Sequence, residues 1–328
     1  MSSLDLRPLS LGELLDRCFT LYRRHFFLFV GIVALPYLLM LAMQLIQTFV
    51  FFPANFPTEA PPVAGQAPFS MPSTGAIVSV IAFYIVLIIA AVIAYLLAQG
   101  GTVFAVSELY LGRPTTIRGS FRKMRGKMLS LFALVILNVL LVGACTAVAV
   151  VPAVILIPLA TQVGGTAATA LFAVLIFLLF VLAVAVAIYM TCRLMVAVPA
   201  VLLEDAGPVT ALQRSFFLTK KNAGRAFLVL LISVTINFAV ISVLMVPPYV
   251  GMIVSAVYKN FGALRYWLAL MQTGSYVGQA LAGPILIIAT AVFYFDLRVR
   301  KEALDLQMML GPEVNPGPAR GDVPTMLS

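Results

Sequence analysis

The chain has 328 residues, 62% of them apolar and 10% charged, with a formal net charge of +9 and a mean hydropathy of +1.08. A soluble domain of this length could not hide so much apolar surface, and runs of about 18 or more apolar residues recur, so the chain reads as a polytopic membrane protein. The positive charges sit in short blocks beside apolar spans, a placement that argues against a nucleic-acid footprint and for orientation and contact with anionic lipid headgroups.

The first predicted element is a basic, two-faced helix within Leu9–Phe29. Ser10 and Glu13 have capping-box spacing. Leu11, Leu14, Leu15, Cys18, Phe19 and Tyr22 recur at helical steps, and Arg17, Arg23 and Arg24 lie mostly on the other side. The apolar stripe either sinks to the acyl boundary or packs on the protein's own spans, and the two readings are compatible. The first apolar run, Phe26–Phe52, contains Pro36 and suffices for one tilted, kinked crossing. It is too long for a signal-peptide core and reads as a retained start-transfer helix. A proline-rich stretch, 53–76, is expected to be an extended external loop.

Ile77–Leu111 exceeds one crossing; Gln99, Gly100 and Gly101 mark either a break or a close helix contact, and Glu108 lies near its end. The second basic block, Arg113–Lys127, includes Arg122, Lys123 and Arg125. Leu129–Ala160 follows, with Asn138 inside it, then a short turn and Ala167–Leu203, which carries Arg193. The third basic block, Asp205–Arg225, has Pro208 in a first-turn position and includes Arg214, Lys220 and Lys221. Ala226–Tyr258 contains Asn237 and is broken by Pro247 and Pro248. Tyr266 and Trp267 are placed like interface anchors. Gly274–Phe295 is the last apolar run, followed by a short helix at DLRVRKEALDLQ and a tail, 311–328, expected to be disordered.

The predicted fold is therefore all-α: a membrane domain over residues 1–310 with about six transmembrane helices, near 26–52, 77–99, 129–151, 167–190, 226–246 and 274–295, plus basic interfacial helices. An even number of crossings keeps the basic blocks on one side, the cytoplasmic one, with both termini. Cys18, Cys145 and Cys192 form no CxxC, and a disulfide framework is not expected. The basic blocks superpose: CFTLYRRHF (18–26) on SFFLTKKNA (215–223), and more loosely SFRKMRGKM (120–128). Each precedes two apolar runs, the second ending near an acid: Glu108, Glu204 or Asp296. This reads either as a threefold hairpin repeat or as the common appearance of any helical hairpin with a cytoplasmic base.

RPLSLGELLDRCFTLYRRHFFLF, AVSELYLGRP, VPAVLLEDAGPVTALQRSFFLTK and AVFYFDLRVRKEALDL together resemble the bacterial family named after the membrane portion of glycerophosphoryl diester phosphodiesterases, over Arg7 to about Leu310. The resemblance implies a six-helix bundle in the bacterial inner membrane. In some members the domain precedes a catalytic barrel; that barrel is expected to be absent here, so the activity in the family's name is not expected of this chain.

The residues give no independent sign of catalysis. His25 is the only histidine, at a membrane entry point, and no GxSxG, P-loop, GxGxxG or HExxH motif occurs. Glu108 and Arg193 either form a salt bridge or snorkel to the boundary. Asn138 and Asn237, with Gln99, Gln272 and Gln279, either bond between helices or line a path, helix glue being the commoner role. Gly274 and Gly278 form a GxxxG that permits close helix approach and carries little weight for a dimer. The leading expectation is a non-catalytic membrane anchor, scaffold or lipid-interacting module without cofactor or metal. Its partners are the bilayer and its anionic headgroups, and a protein partner or a second copy is left open. The headgroup contacts would be Arg17, Arg23, Arg24, Arg122, Lys123, Arg125, Arg214, Lys220 and Lys221. The alternative is a small-solute or lipid transporter or channel; a membrane-embedded lipid enzyme is less favoured.

Overall fold

The computed structural model describes residues 8–50, 74–162, 166–258 and 260–302. All regular elements among them are helical. In chain order they are α1 (Leu11–Arg24), α2 (Phe26–Val50), α3 (Thr74–Tyr110), α4 (Ile117–Arg125), α5 (Met128–Gln162), α6 (Thr166–Leu194), α7 (Ala197–Leu203), α8 (Pro208–Thr219), α9 (Ala223–Val257), a 3-10 turn (Phe261–Ala263) and α10 (Leu264–Glu302). Six helices are long and apolar enough to cross a bilayer. The chain is an all-α, multi-pass integral membrane protein.

Local chemistry accounts for the starts of the short helices. Ser10 accepts from the Glu13 N–H while the Glu13 carboxylate accepts from the Ser10 N–H, a reciprocal cap that satisfies two orphan donors of α1. Thr116 caps α4 through the Gly119 N–H. Pro208 opens α8, where its missing N–H costs nothing.

Of the two readings of Gln99–Gly101, the close helix contact holds and the break does not: α3 runs unbroken from Thr74 to Tyr110. The glycines serve close contact instead, for a Cβ on Gly100 would meet the Met124 sulfur at 2.6 Å and one on Gly101 would meet Ile32 at 2.8 Å. The short helix expected after the last span does not begin as a separate element: α10 runs on through its first residues to Glu302, and the rest of it lies outside the described residues. The 53–76 loop lies outside the described residues except for its end, which already belongs to α3, and the 311–328 tail lies wholly outside them.

The long helices pair as hairpins: α2 with α3, α5 with α6, and α9 with α10. The last is the central one. Helix α10 also packs on α2, α1 and α3, and its second half is almost wholly buried, from Ile285 to Leu297. Exposed apolar side chains elsewhere, such as Leu38, Leu140, Phe177 and Val243, face outward as lipid-facing residues do.

The register of the three basic blocks carries into the fold. Cys18, Ser120 and Ser215, which the sequence superposition aligns, are all buried. The span after each begins eight positions later, at Phe26, Met128 and Ala223.

Candidate functional site

At the end of the bundle where α1, α4 and α8 lie, the three acids are read by basic or backbone donors from the following hairpin unit. Glu108, ending the first hairpin, pairs with Lys123 of α4 at 2.6 Å. Glu204, after the second, accepts from Arg214 of α8 at 2.7 and 2.9 Å and from the Tyr294 hydroxyl at 2.5 Å. Asp296, near the end of the third, accepts from the Leu9 N–H at 2.8 Å, just ahead of α1. The third link returns to the start of the chain, so the units close head to tail.

Glu204 is held as an anion. Burial opposes ionisation of Glu204, but hydrogen bonds from Arg214 and Tyr294, with the charges of Arg214 and Arg298, outweigh it and hold its carboxyl below the usual range. Arg214 also reaches Glu302 at 2.5 Å, and Arg298 reaches Glu302 at 3.0 Å. Asp296, 2% exposed, is met by Arg225 at 3.1 Å and Arg300 at 3.0 Å. Lys127 pairs with Asp205, and the Lys301 amine donates to the Phe217 carbonyl in the last turn of α8 at 2.5 Å and to the carbonyl of Lys220, just past that helix, at 3.0 Å.

A second set of cations has no carboxylate partner among the described residues. Arg23 and Arg24 end α1, Lys220 and Lys221 follow α8 at the aligned positions, and all four are exposed. Lys221 sits in the left-handed region at φ 70, turning the chain from α8 into α9. On α4, Arg118, Arg122 and Arg125 form a four- and three-residue stripe bordering a hollow of about 500 Å³.

Two further cavities lie among the spans. One, about 740 Å³, is lined by Gln44, Ser242, Gln272, Ser275 and Tyr276 together with apolar side chains of α9. The other, about 370 Å³, is almost wholly apolar and lies between α2, α10 and Ile117 of α4.

The sequence model of a family of unknown function, DUF7544, matches residues 24–299. The chain belongs to that family. No curated protein and no solved structure matches it.

In this DUF7544 chain the predicted residues divide. Arg23, Arg24, Arg122, Arg125, Lys220 and Lys221 are exposed at the basic end. Arg17 instead donates to the Tyr110 hydroxyl at 3.0 Å, Lys123 is engaged by Glu108, and Arg214 lies in the Glu204 cluster. The Glu108–Arg193 bridge does not form. Arg193 lies over the Phe216 ring at 5.1 Å, its Nε is buried without a hydrogen-bond partner, and its carbonyl accepts from Ser215 and Thr219. Glu108 goes to Lys123 because α4 lies beside the end of α3.

Asn237 donates to Gln279 at 3.1 Å, joining α9 to α10. The Asn138 side-chain oxygen is buried with no partner. Gly274 and Gly278 admit Leu244 and Ile241 of α9, so the GxxxG serves packing within the chain. Trp267 is not simply an interface anchor: its ring lies against Gly251, and its indole N–H donates to Ser255 at 2.8 Å. His25 caps the end of α1, where burial and the Arg24 charge lower its pKa. Sequence reasoning gave no individual role to Arg225, Arg300, Tyr294 or Arg118. Only Arg118 had a local signal, its helical spacing from Arg122 and Arg125.

Proposed function

We propose that this protein is a non-catalytic scaffold of a bacterial inner membrane that engages anionic lipid headgroups through its basic end, with both termini cytoplasmic. One observation carries the reading. The exposed cation pairs Arg23–Arg24, ending α1, and Lys220–Lys221, just past α8, recur at aligned positions of two basic blocks, while cations deeper in the same end are neutralised by Glu204, Asp296 and Glu302. A fold that neutralises its internal charges and leaves matched pairs outward suits a surface of opposite sign, and each basic residue near such a surface contributes about 1 kcal/mol. Glu204, Asp296 and Glu302 are committed to arginines, and Glu108 and Asp205 to lysines. Kinship with the membrane portion of glycerophosphoryl diester phosphodiesterases is part of the same proposal and rests on the four sequence motifs alone.

The test is the thermal stability of the purified chain in detergent micelles titrated with phosphatidylglycerol or phosphatidylcholine. Phosphatidylglycerol should stabilise the wild type more, and the quadruple variant R23Q/R24Q/K220Q/K221Q should lose most of that difference. An unaltered difference in the variant removes the proposal.

The 740 Å³ cavity favours a second reading, a small-solute or lipid transporter, because glutamine and serine side chains line a hollow among apolar spans. Uptake by proteoliposomes across a broad solute panel, abolished by Gln272→Leu, would support it. No uptake of any solute would remove it.

A further inference from the structure

We propose that the chain holds one anionic phospholipid at a defined site, with an acyl chain in the apolar groove between α2 and α10 and the phosphate on the arginine stripe of α4. The proposal deepens the lipid-headgroup reading above and rests on it.

Helix α4 presents two stripes of the same spacing. Ile117, Phe121 and Met124 point inward, each against a glycine: Ile117 comes to 2.6 Å of where a Gly31 Cβ would stand, Phe121 to 3.0 Å at Gly101, and Met124 to 2.6 Å at Gly100. These notches seat the helix close against α2 and α3 and fix its rotation. Arg118, Arg122 and Arg125 come one position later along the chain, about 100° round the helix, and are exposed. They border the 500 Å³ hollow together with Thr116, Gly119 and Phe121. No carboxylate among the described residues pairs with them.

Ile117 stands in sequence between Thr116 and Arg118, which border the hollow, and its own side chain faces the groove. It helps line the apolar cavity of about 370 Å³ whose other walls include Leu35, Leu38, Val277 and Ala280. Leu35 is 54% and Leu38 63% exposed, so the groove opens sideways to the bilayer. From Gly31 to Leu41 it follows α2 for about 15 Å at about 1.5 Å per residue, the hydrocarbon depth of a single leaflet.

An amphiphile is the occupant these features suit together. A free phosphate would use the arginines and leave the groove unexplained, and a neutral lipid would use the groove and leave the arginines unexplained. Arginine suits phosphate oxygens because its planar fork donates in pairs.

The experiment is native mass spectrometry of the full-length chain, released from micelles containing dioleoyl phosphatidylglycerol or dioleoyl phosphatidylcholine. One retained phosphatidylglycerol per chain is expected, with at least tenfold weaker retention of phosphatidylcholine. R118Q/R122Q/R125Q, which alters only exposed side chains, should weaken phosphatidylglycerol retention at least tenfold. Ala280→Trp, which fills the groove, should do the same. Equal retention of the two lipids, or retention unchanged in the triple variant, overturns the site. Retention unchanged in Ala280→Trp also overturns it, since the anion would then be held without the groove. The R23Q/R24Q/K220Q/K221Q variant separates the two proposals. If it loses the stabilisation by phosphatidylglycerol while the triple variant keeps its bound lipid, the basic-end reading stands and the site fails. If neither variant changes anything, both fail.

Discussion

The backbone N–H of Leu9 donates to Asp296 Oδ1 at 2.8 Å across 287 positions of sequence. The Leu9 carbonyl completes the join by accepting from Arg225 at 2.8 Å and Arg300 at 2.5 Å. Asp296 thus holds the entry to α1 against the end of α10, in a site where its carboxylate is fully buried. Removing one partner of a buried pair leaves charge uncompensated and costs about 3–5 kcal/mol. Asp296→Ala should lower the thermal midpoint in detergent clearly and speed proteolysis ahead of α1. An unchanged cleavage pattern would show that the join does not hold the segment.

Arg214 and Arg24 are both arginines of basic surface helices, yet they should behave differently. Arg214→Gln strips Glu204 and Glu302 of their shared donor, and hydrogen bonds to charged groups are worth about 1.5–3 kcal/mol. It should destabilise the chain whatever lipid is present. Arg24→Gln should leave the midpoint in neutral detergent unchanged. Denaturation scans of the two variants side by side decide it.

The depressed carboxyl of Glu204 also sets a pH dependence. Because the folded chain holds this group ionised more firmly than the unfolded chain does, its stabilisation is complete above the ordinary carboxylate range. It is lost as pH falls below that range and through the lower folded value. The lowered pKa of His25 acts in the same direction at higher pH, since protonation is disfavoured in the fold. Midpoints measured from pH 7 down to pH 3 should fall, and the fall should be shallower in Glu204→Gln, which starts from a lower stability.

The α9–α10 hairpin depends on missing side chains. A Cβ on Gly251 would meet the Trp267 ring at 2.4 Å, and one on Gly278 would meet Ile241 at 2.8 Å. Gly251→Leu and Gly278→Leu should each cost about 1–3 kcal/mol through overpacking, whereas Gly143→Ala, with nothing within 4 Å, should cost far less. Equal midpoints for all three would contradict the close approach.

Burial pushes the Cys18 thiol up to about 12, so little thiolate exists at neutral pH. Maleimide should label Cys18 slowly in the folded chain and fast after denaturation, and fast labelling of the native chain would place α1 away from the bundle. Orientation has its own test. Reporter fusions after Ser70, Gly165 and Tyr258 should all read external, and a cytoplasmic readout at any of them breaks the proposed topology.

Much of the architecture was legible in the chain because membrane spans and amphipathic helices are written locally. About 20 consecutive apolar residues, or a stripe at three- and four-residue steps, carry the instruction within one stretch. The capping box at Ser10–Glu13 and the first-turn Pro208 are of that kind. The helix through Gln99–Gly101 was ambiguous because paired glycines weaken a helix in isolation and also admit a neighbour, and only the presence of Met124, Ile32 and Phe121 resolves which.

The sequence by itself determined that this is a bundle of apolar spans with basic helices at their feet, and it superposed the blocks at 18–26 and 215–223 while leaving a true repeat open. Which cations face outward and which are spent inside was decided by the tertiary structure alone. Arg17 and Arg24 stand on one short helix, yet Arg17 meets Tyr110, 93 positions away, and Arg24 meets no carboxylate among the described residues. The physical reason is that an ion pair depends on distance in space. Here the partners of each basic helix come from a neighbouring hairpin, and their position is set by packing that no single stretch of the chain encodes.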